Sequence, residues 1–126
     1  MAKVLGVGGI FFKSADPARL RAWYARWLGA PVDEHGAMFK TADAPVGAAL
    51  VWSPFAADTK YFEPSPAAFM INLIVDDVDA ALAQVREGGA EIAGAVEQYD
   101  YGRFGWFIDP DGNKVELWQL PKSGGE

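Results

Sequence analysis

The feature that most constrains this chain is an internal repeat spanning nearly half its length. Residues 4–13 (VLGVGGIFFK) are apolar and β-prone, and they run into Ser14-Ala15-Asp16-Pro17. An acidic cap followed by proline at the first helical position signals a helix start. From there Leu20, Trp23, Tyr24, Trp27 and Leu28 fall at i, i+3, i+4, i+7 and i+8, an amphipathic stripe that Gly29 and Pro31 end. The same grammar returns at 69–75 (FMINLIV), with Asp76-Asp77 as cap, Val78, Leu82 and Val85 on the helix, and Gly88-Gly89 as stop. Asp16 and Asp77 stand 61 residues apart, so each half is one supersecondary unit.

Short β-prone segments follow each helix, roughly 31–34, 37–42 and 47–53 in the first half and 91–97, 103–109 and 113–119 in the second. Each half therefore reads βαβββ, and the fold class is α+β. The last break, Asp109-Pro110-Asp111-Gly112-Asn113, is a hairpin turn in which proline presets φ, glycine supplies positive φ, and the Asp and Asn side chains bond nearby backbone. At 126 residues the chain has the size of one domain, 1–126, with module 1 at about 4–53, a linker loop at 54–66 and module 2 at about 67–120. The linker holds Pro54, Pro64 and Pro66 with Phe55, Tyr61 and Phe62, too aromatic for a mere spacer. Tyr61 and Phe62 are candidates for a lid.

Eleven basic residues against 17 acidic ones give a net charge of -6, and no basic run offers a phosphate-binding face. Nucleic acid is not an expected partner. The absence of cysteine removes disulfides, thiolate metal sites and cysteine nucleophiles together. No 18-residue apolar run exists, and Met1–Gly6 lacks the apolar core of an export signal, so the expectation is a cytoplasmic protein with no membrane partner. Five Trp are more than a core of this size needs, which suits a pocket or an interface.

The stretch Gly105-Trp106-Phe107-Ile108-Asp109-Pro110-Asp111-Gly112-Asn113-Lys114-Val115-Glu116-Leu117, closing two βαβββ halves, resembles the vicinal-oxygen-chelate superfamily of glyoxalases, bleomycin-resistance proteins and extradiol dioxygenases. Asp16 to Gly29 and Val75-Asp76-Asp77-Val78-Asp79 look like the openings of that family's two modules. The resemblance covers essentially the whole chain and implies a curved sheet enclosing a cleft between modules, and a homodimer. It also implies a divalent metal held by His or Glu on the first strand of each module and Glu on the last. Counting by the family pattern puts these positions at Gly9, Met70, Leu50 and Glu116, of which Glu116 alone is a ligand side chain. The chain is therefore read as a divergent member that takes no metal or other cofactor.

Alternation along the last strand puts Val115 and Leu117 on one face and Lys114, Glu116 and Trp118 on the other. If the aliphatic face packs on the helices, Glu116 points into the cleft as a general base or cation anchor. The alternative is a carboxylate paired with a local Lys or Arg. Asn72 shares a face with Met70 and Ile74 and either orients a ligand or bonds neighbouring backbone. Trp52 and Trp118, equivalent in the repeat, either sandwich a planar or cationic ligand or fill the core. Phe11, on the face of Gly9, joins the candidate lining. Tyr101, Trp106 and Arg103 belong to an aromatic segment whose guanidinium either clamps a ligand anion or pairs with Asp100 or Glu97. His35, the single histidine, reads as a solvated turn residue. The function expected is metal-independent binding of a hydrophobic or cationic small molecule in an aromatic cleft. The alternative is a metal-dependent or Glu-based lyase, isomerase or dioxygenase.

Overall fold

In the computed structural model, which describes residues 1–122, the two capped helices form where the repeat places them. Helix α1 spans Pro17–Leu28; the Asp16 carboxylate accepts from the Arg19 amide at 3.1 Å, and Gly29 closes the helix in the left-handed region at φ 64°. Helix α2 spans Val78–Glu87, with the Asp77 carboxylate accepting from Ala80 N at 3.0 Å and the Gln119 side chain accepting from Val78 N at 2.9 Å. The end of the last strand thus helps cap the helix that crosses over it.

Strands β1 (Val32–Asp33) and β2 (Gly36–Ala37) form a minimal hairpin. The second half supplies β3 (Ile71–Ile74), β4 (Glu91–Ile92), β5 (Glu97–Tyr99), β6 (Gly102–Ile108) and β7 (Lys114–Gln119). These make one mixed sheet in the order β3-β7-β6-β4, with β5 also pairing β6. The β3/β7 pair is parallel and crosses over through α2; β6 and β7 are the antiparallel hairpin of the Asp109–Asn113 turn. Phe107, Val115 and Leu117 pack under α2 with Val78, Ala81 and Val85, and Trp23, Tyr24 and Leu28 bring α1 onto the same cluster. Gly105 lets α2 pack close to β6, since a Cβ there would lie 2.8 Å from Leu82 Cδ1 and 3.0 Å from Val78 Cγ1.

Asp109 organises the hairpin more thoroughly than a turn requires. Its Oδ1 accepts from the amides of Asp111 and Asn113, both at 2.9 Å, and its Oδ2 accepts from the Asn113 side chain and from the Tyr24 hydroxyl at 2.8 Å. The turn is therefore pinned to α1. Burial, reinforced by the Asp109 charge, pushes the Tyr24 phenol far above its usual range.

The α+β class and the curved sheet agree with the sequence, but the first half departs from the strands read there. Residues 4–13 and 47–53 form no ladder, and 37–42 gives one strand residue, Ala37, and the start of a single turn of 3₁₀ helix at Thr41–Asp43. The reason is physical: a strand exists only when its amides meet a partner, and neither segment meets one here. Val4, Leu5, Leu50 and Val51 stand exposed, with Phe11 at 94% and Trp52 at 80%. No helix among the described residues is long and apolar enough to cross a membrane.

Candidate functional site

The helix-free face of the sheet carries the side chains that alternate away from the core. Pairing registers place them in rows across the strands: Asn72, Glu116 and Trp106 in one, then Ile74, Trp118 and Phe104 in the next. Glu116 lies at the centre of the first row and accepts from three donors. Its Oε1 accepts from Asn72 Nδ2 at 2.7 Å, and its Oε2 accepts from Trp106 Nε1 at 2.9 Å. A third donor arrives from outside the sheet, the Tyr61 hydroxyl at 2.6 Å from Oε2.

Tyr61 is delivered by the 54–66 strap. Lys114, two residues before Glu116 on the same face, donates from Nζ to the Tyr61 carbonyl at 2.6 Å and lies 5.1 Å from the centre of its ring. The phenol meets Trp106 edge to face at 6.3 Å, and Phe55 stacks against it at 5.7 Å. Partial burial together with the hydrogen bond and charge of Glu116 raises the Tyr61 pKa, so the hydroxyl is a donor throughout the neutral range. A cavity of about 190 Å³ opens beside it, lined by Ala93, Gly94, Ala95, Glu97, Trp106 and Lys114. A larger one, about 540 Å³, lies at the ends of β3 and β7, lined by Val46, Ile74, Asp76, Leu120, Lys122 and their neighbours. No convergent donor set like that on Glu116 is seen there.

Of the residues singled out in the sequence, Glu116, Asn72 and Trp106 are brought together, and Trp118 lies one row along on the same face. Its indole donates to the Tyr101 carbonyl at 2.9 Å and stacks on Phe104 at 6.0 Å. Tyr101 stacks on Tyr99 at the exposed end of the hairpin. Phe11 and Trp52 stand largely in solvent, so Trp52 is not packed in a sandwich with Trp118 in this structure. Arg103 alternates onto the helix side and pairs with Asp79 of α2 at 3.0 and 3.1 Å, not with Asp100 or Glu97. A partner 24 residues away is set by the packing of α2 on β6, which local sequence does not display. His35 sits in the β1–β2 turn, exposed. What the sequence reading left faint was Tyr61, whose target depends on where the strap crosses the sheet. Lys114 was legible from the same alternation that placed Glu116.

The divalent metal implied by the resemblance does not fit these side chains. Glu116 is the one carboxylate of the row, and with its oxygens already accepting from three N–H or O–H groups it cannot supply the three or four ligands a metal ion takes. Among the described residues, no three His, Cys, Asp or Glu side chains gather in an arrangement able to hold a metal ion.

The Glyoxalase-like domain family matches residues 9–118. Among solved structures, a glyoxalase-related enzyme from Fulvimarina pelagi aligns with a TM-score of 0.60 at 17% identity, over 94% of this chain and 90% of that one. That likeness is one of fold. TnmS3, an antibiotic binding protein from Streptomyces sp. CB03234, aligns at 27% identity and a TM-score of 0.48, over 86% of this chain and 89% of that one. With hypothetical protein SA1046 from S. aureus, 24% identical at a TM-score of 0.40, 44% of this chain is covered and it spans about half, 51%, of that protein. No curated protein matches the sequence.

Proposed function

The chain belongs to the glyoxalase-like domain family, and from that premise we propose that it binds a hydrophobic or cationic small molecule without a metal, using the Glu116 face as its site. The observation that carries this reading is the row itself: one carboxylate set among aromatic rings, with Asn72, Trp106 and Tyr61 donating to it. A pocket wall of apolar rings with a few convergent polar groups is the usual chemistry of ligand recognition. The net charge of -6 favours a cation. Glu116 accepts from three donors held by the fold, the arrangement of a hydrogen-bond anchor, so we place binding ahead of Glu-based or metal-assisted turnover.

The same reading includes a homodimer in the cytoplasm, with no nucleic-acid or membrane partner. Its support is the apolar surface that the chain leaves uncovered at 4–12 and 46–52, together with the outer edge of β3, which pairs on one side only. The test of binding is a tryptophan-fluorescence titration with a panel of aromatic, aliphatic and cationic compounds, with and without a chelator. Saturable quenching that survives the chelator and weakens in Glu116→Gln is the expected result. No saturable quenching by any class overturns the proposal, and quenching or turnover that the chelator abolishes overturns its metal independence.

A further inference from the structure

Every hydrogen bond from the 54–66 strap to the sheet, among the described residues, passes through one residue. Within the strap the bonds are local turns: Thr59 N to Ala56 O, Glu63 N to Lys60 O and Ser65 N to Phe62 O. Lys60 and Glu63 pair with each other. To the sheet there are two bonds, the Tyr61 hydroxyl to Glu116 and Lys114 Nζ to the Tyr61 carbonyl. Tyr61 nevertheless remains 41% exposed, and a cavity adjoins it. A side chain so placed resembles a bound molecule held on a tether: planar ring, donor on the carboxylate, edge against Trp106, cation above the ring.

We propose that Tyr61 is a built-in surrogate ligand, and that the molecule this site takes is an aromatic ring bearing an O–H or N–H donor, which displaces the phenol from Glu116 and releases the strap. This rests on the binding function proposed above and specifies its ligand class. The chemistry follows from what Tyr61 already satisfies. A displacing ligand must return a donor to Glu116 Oε2, which otherwise loses its bond at 2.6 Å, and must offer Lys114 and Trp106 a flat ring at the distances the phenol holds. A charged amine on such a ring strengthens the first term, and the 190 Å³ cavity toward Ala93–Ala95 receives its substituents. Because the phenol is tethered, it competes as an intramolecular ligand at high effective concentration and lowers the apparent affinity for any free one.

The experiment compares 4-methylphenol and toluene, by calorimetry, on the full chain and on Tyr61→Ala. Removing the tethered competitor is expected to tighten 4-methylphenol by at least about tenfold. Toluene, without a donor, should gain little, and Tyr61→Ala combined with Glu116→Ala should lose the gain. If Tyr61→Ala does not fold, Tyr61→Leu takes its place, since it keeps an apolar cover over Trp106. Equal affinity for 4-methylphenol in wild type and the folded variant, no binding to the folded variant, or an equal gain for toluene overturns the surrogate role. In any of these cases a fluorescence hit on wild type that leaves amide exchange over 54–66 unchanged keeps the binding function standing. Absence of any hit on wild type and variant alike overturns both.

Discussion

Replacing Glu116 in two different ways separates a hydrogen-bond hub from an incidental surface carboxylate. In Glu116→Gln one orientation of the new amide keeps its oxygen at the Oε2 position, accepting from Trp106 and Tyr61, and turns its NH₂ toward Asn72. Asn72 is at the exposed end of its bond and can rotate its own amide to accept, so all three partners stay satisfied. What is lost is the charge assistance, about 1 kcal/mol in total for bonds of which two are open to solvent. Glu116→Ala removes the acceptor altogether. Tyr61 and Asn72 recover water, but Trp106 is 5% exposed and its indole N–H is left unpaired, at about 1–3 kcal/mol. Loosening of the strap, whose hydroxyl bond to the sheet is gone, adds about 1 kcal/mol. The alanine variant should therefore lose about 2–4 kcal/mol and the glutamine variant about 1, a gap that urea unfolding followed by tryptophan fluorescence resolves if the m-value is unchanged. Equal stabilities of the two variants, or an alanine variant as stable as wild type, would refute the three-donor hub.

Alkaline unfolding should be driven by tyrosine. The Tyr24 and Tyr61 phenols are raised by burial and by Asp109 and Glu116 respectively, so their contribution is complete below the unfolded value near pH 10 and is lost as pH rises toward their folded values. Each fully retained proton gives a slope of about 1.4 kcal/mol per pH unit, less for the partly exposed Tyr61. Urea midpoints that fall above about pH 10 while Tyr24 stays unionised in the phenolate absorbance are the expected outcome; a flat profile contradicts it. Asp109→Ala should cost about 3–5 kcal/mol, because a buried carboxylate accepting four bonds leaves Tyr24 and the hairpin amides unpaired. Asp109→Asn, which keeps one oxygen to accept from the two hairpin amides but puts a donor where Tyr24 and the Asn113 side chain donate, should cost less than Asp109→Ala by the same denaturation assay. For assembly, light scattering of wild type should give twice the chain mass, and Phe11→Glu with Trp52→Glu should give the monomer; a wild-type monomer sinks the dimer.

How much of this was legible depended on whether the interaction was local in sequence. Asp16 and Asp77 bond amides three residues on, Asp109 bonds amides two and four residues on, and Gly29 terminates its own helix, so short windows carry all of these. Alternation on β7 was enough to separate Lys114, Glu116 and Trp118 from the core-facing Val115 and Leu117, because period two needs no knowledge of the partner strand. The same rule assigned Asn72 to its face, and the parallel register then set it beside Glu116. Tyr61 and Arg103 lay beyond that reach. Their partners are 55 and 24 residues away, and which loop crosses which row is decided by packing.

The repeat itself shows why β-propensity and strand formation are different quantities. Residues 4–13 and 69–75 carry the same kind of apolar run, yet only the second becomes a strand, because β7 is brought alongside it by the crossover through α2. In the first half the equivalent return, 47–53, does not close on 4–13, and the apolar side chains of both stand in solvent. Burying a Leu, Val or Phe side chain is worth about 1.5–3 kcal/mol, so exposed Leu5, Phe11, Leu50, Val51 and Trp52 together represent a driving force comparable with the stability of a whole domain. The homodimer proposed above would cover this surface, since a second copy carries the same two segments and the same open edge of β3.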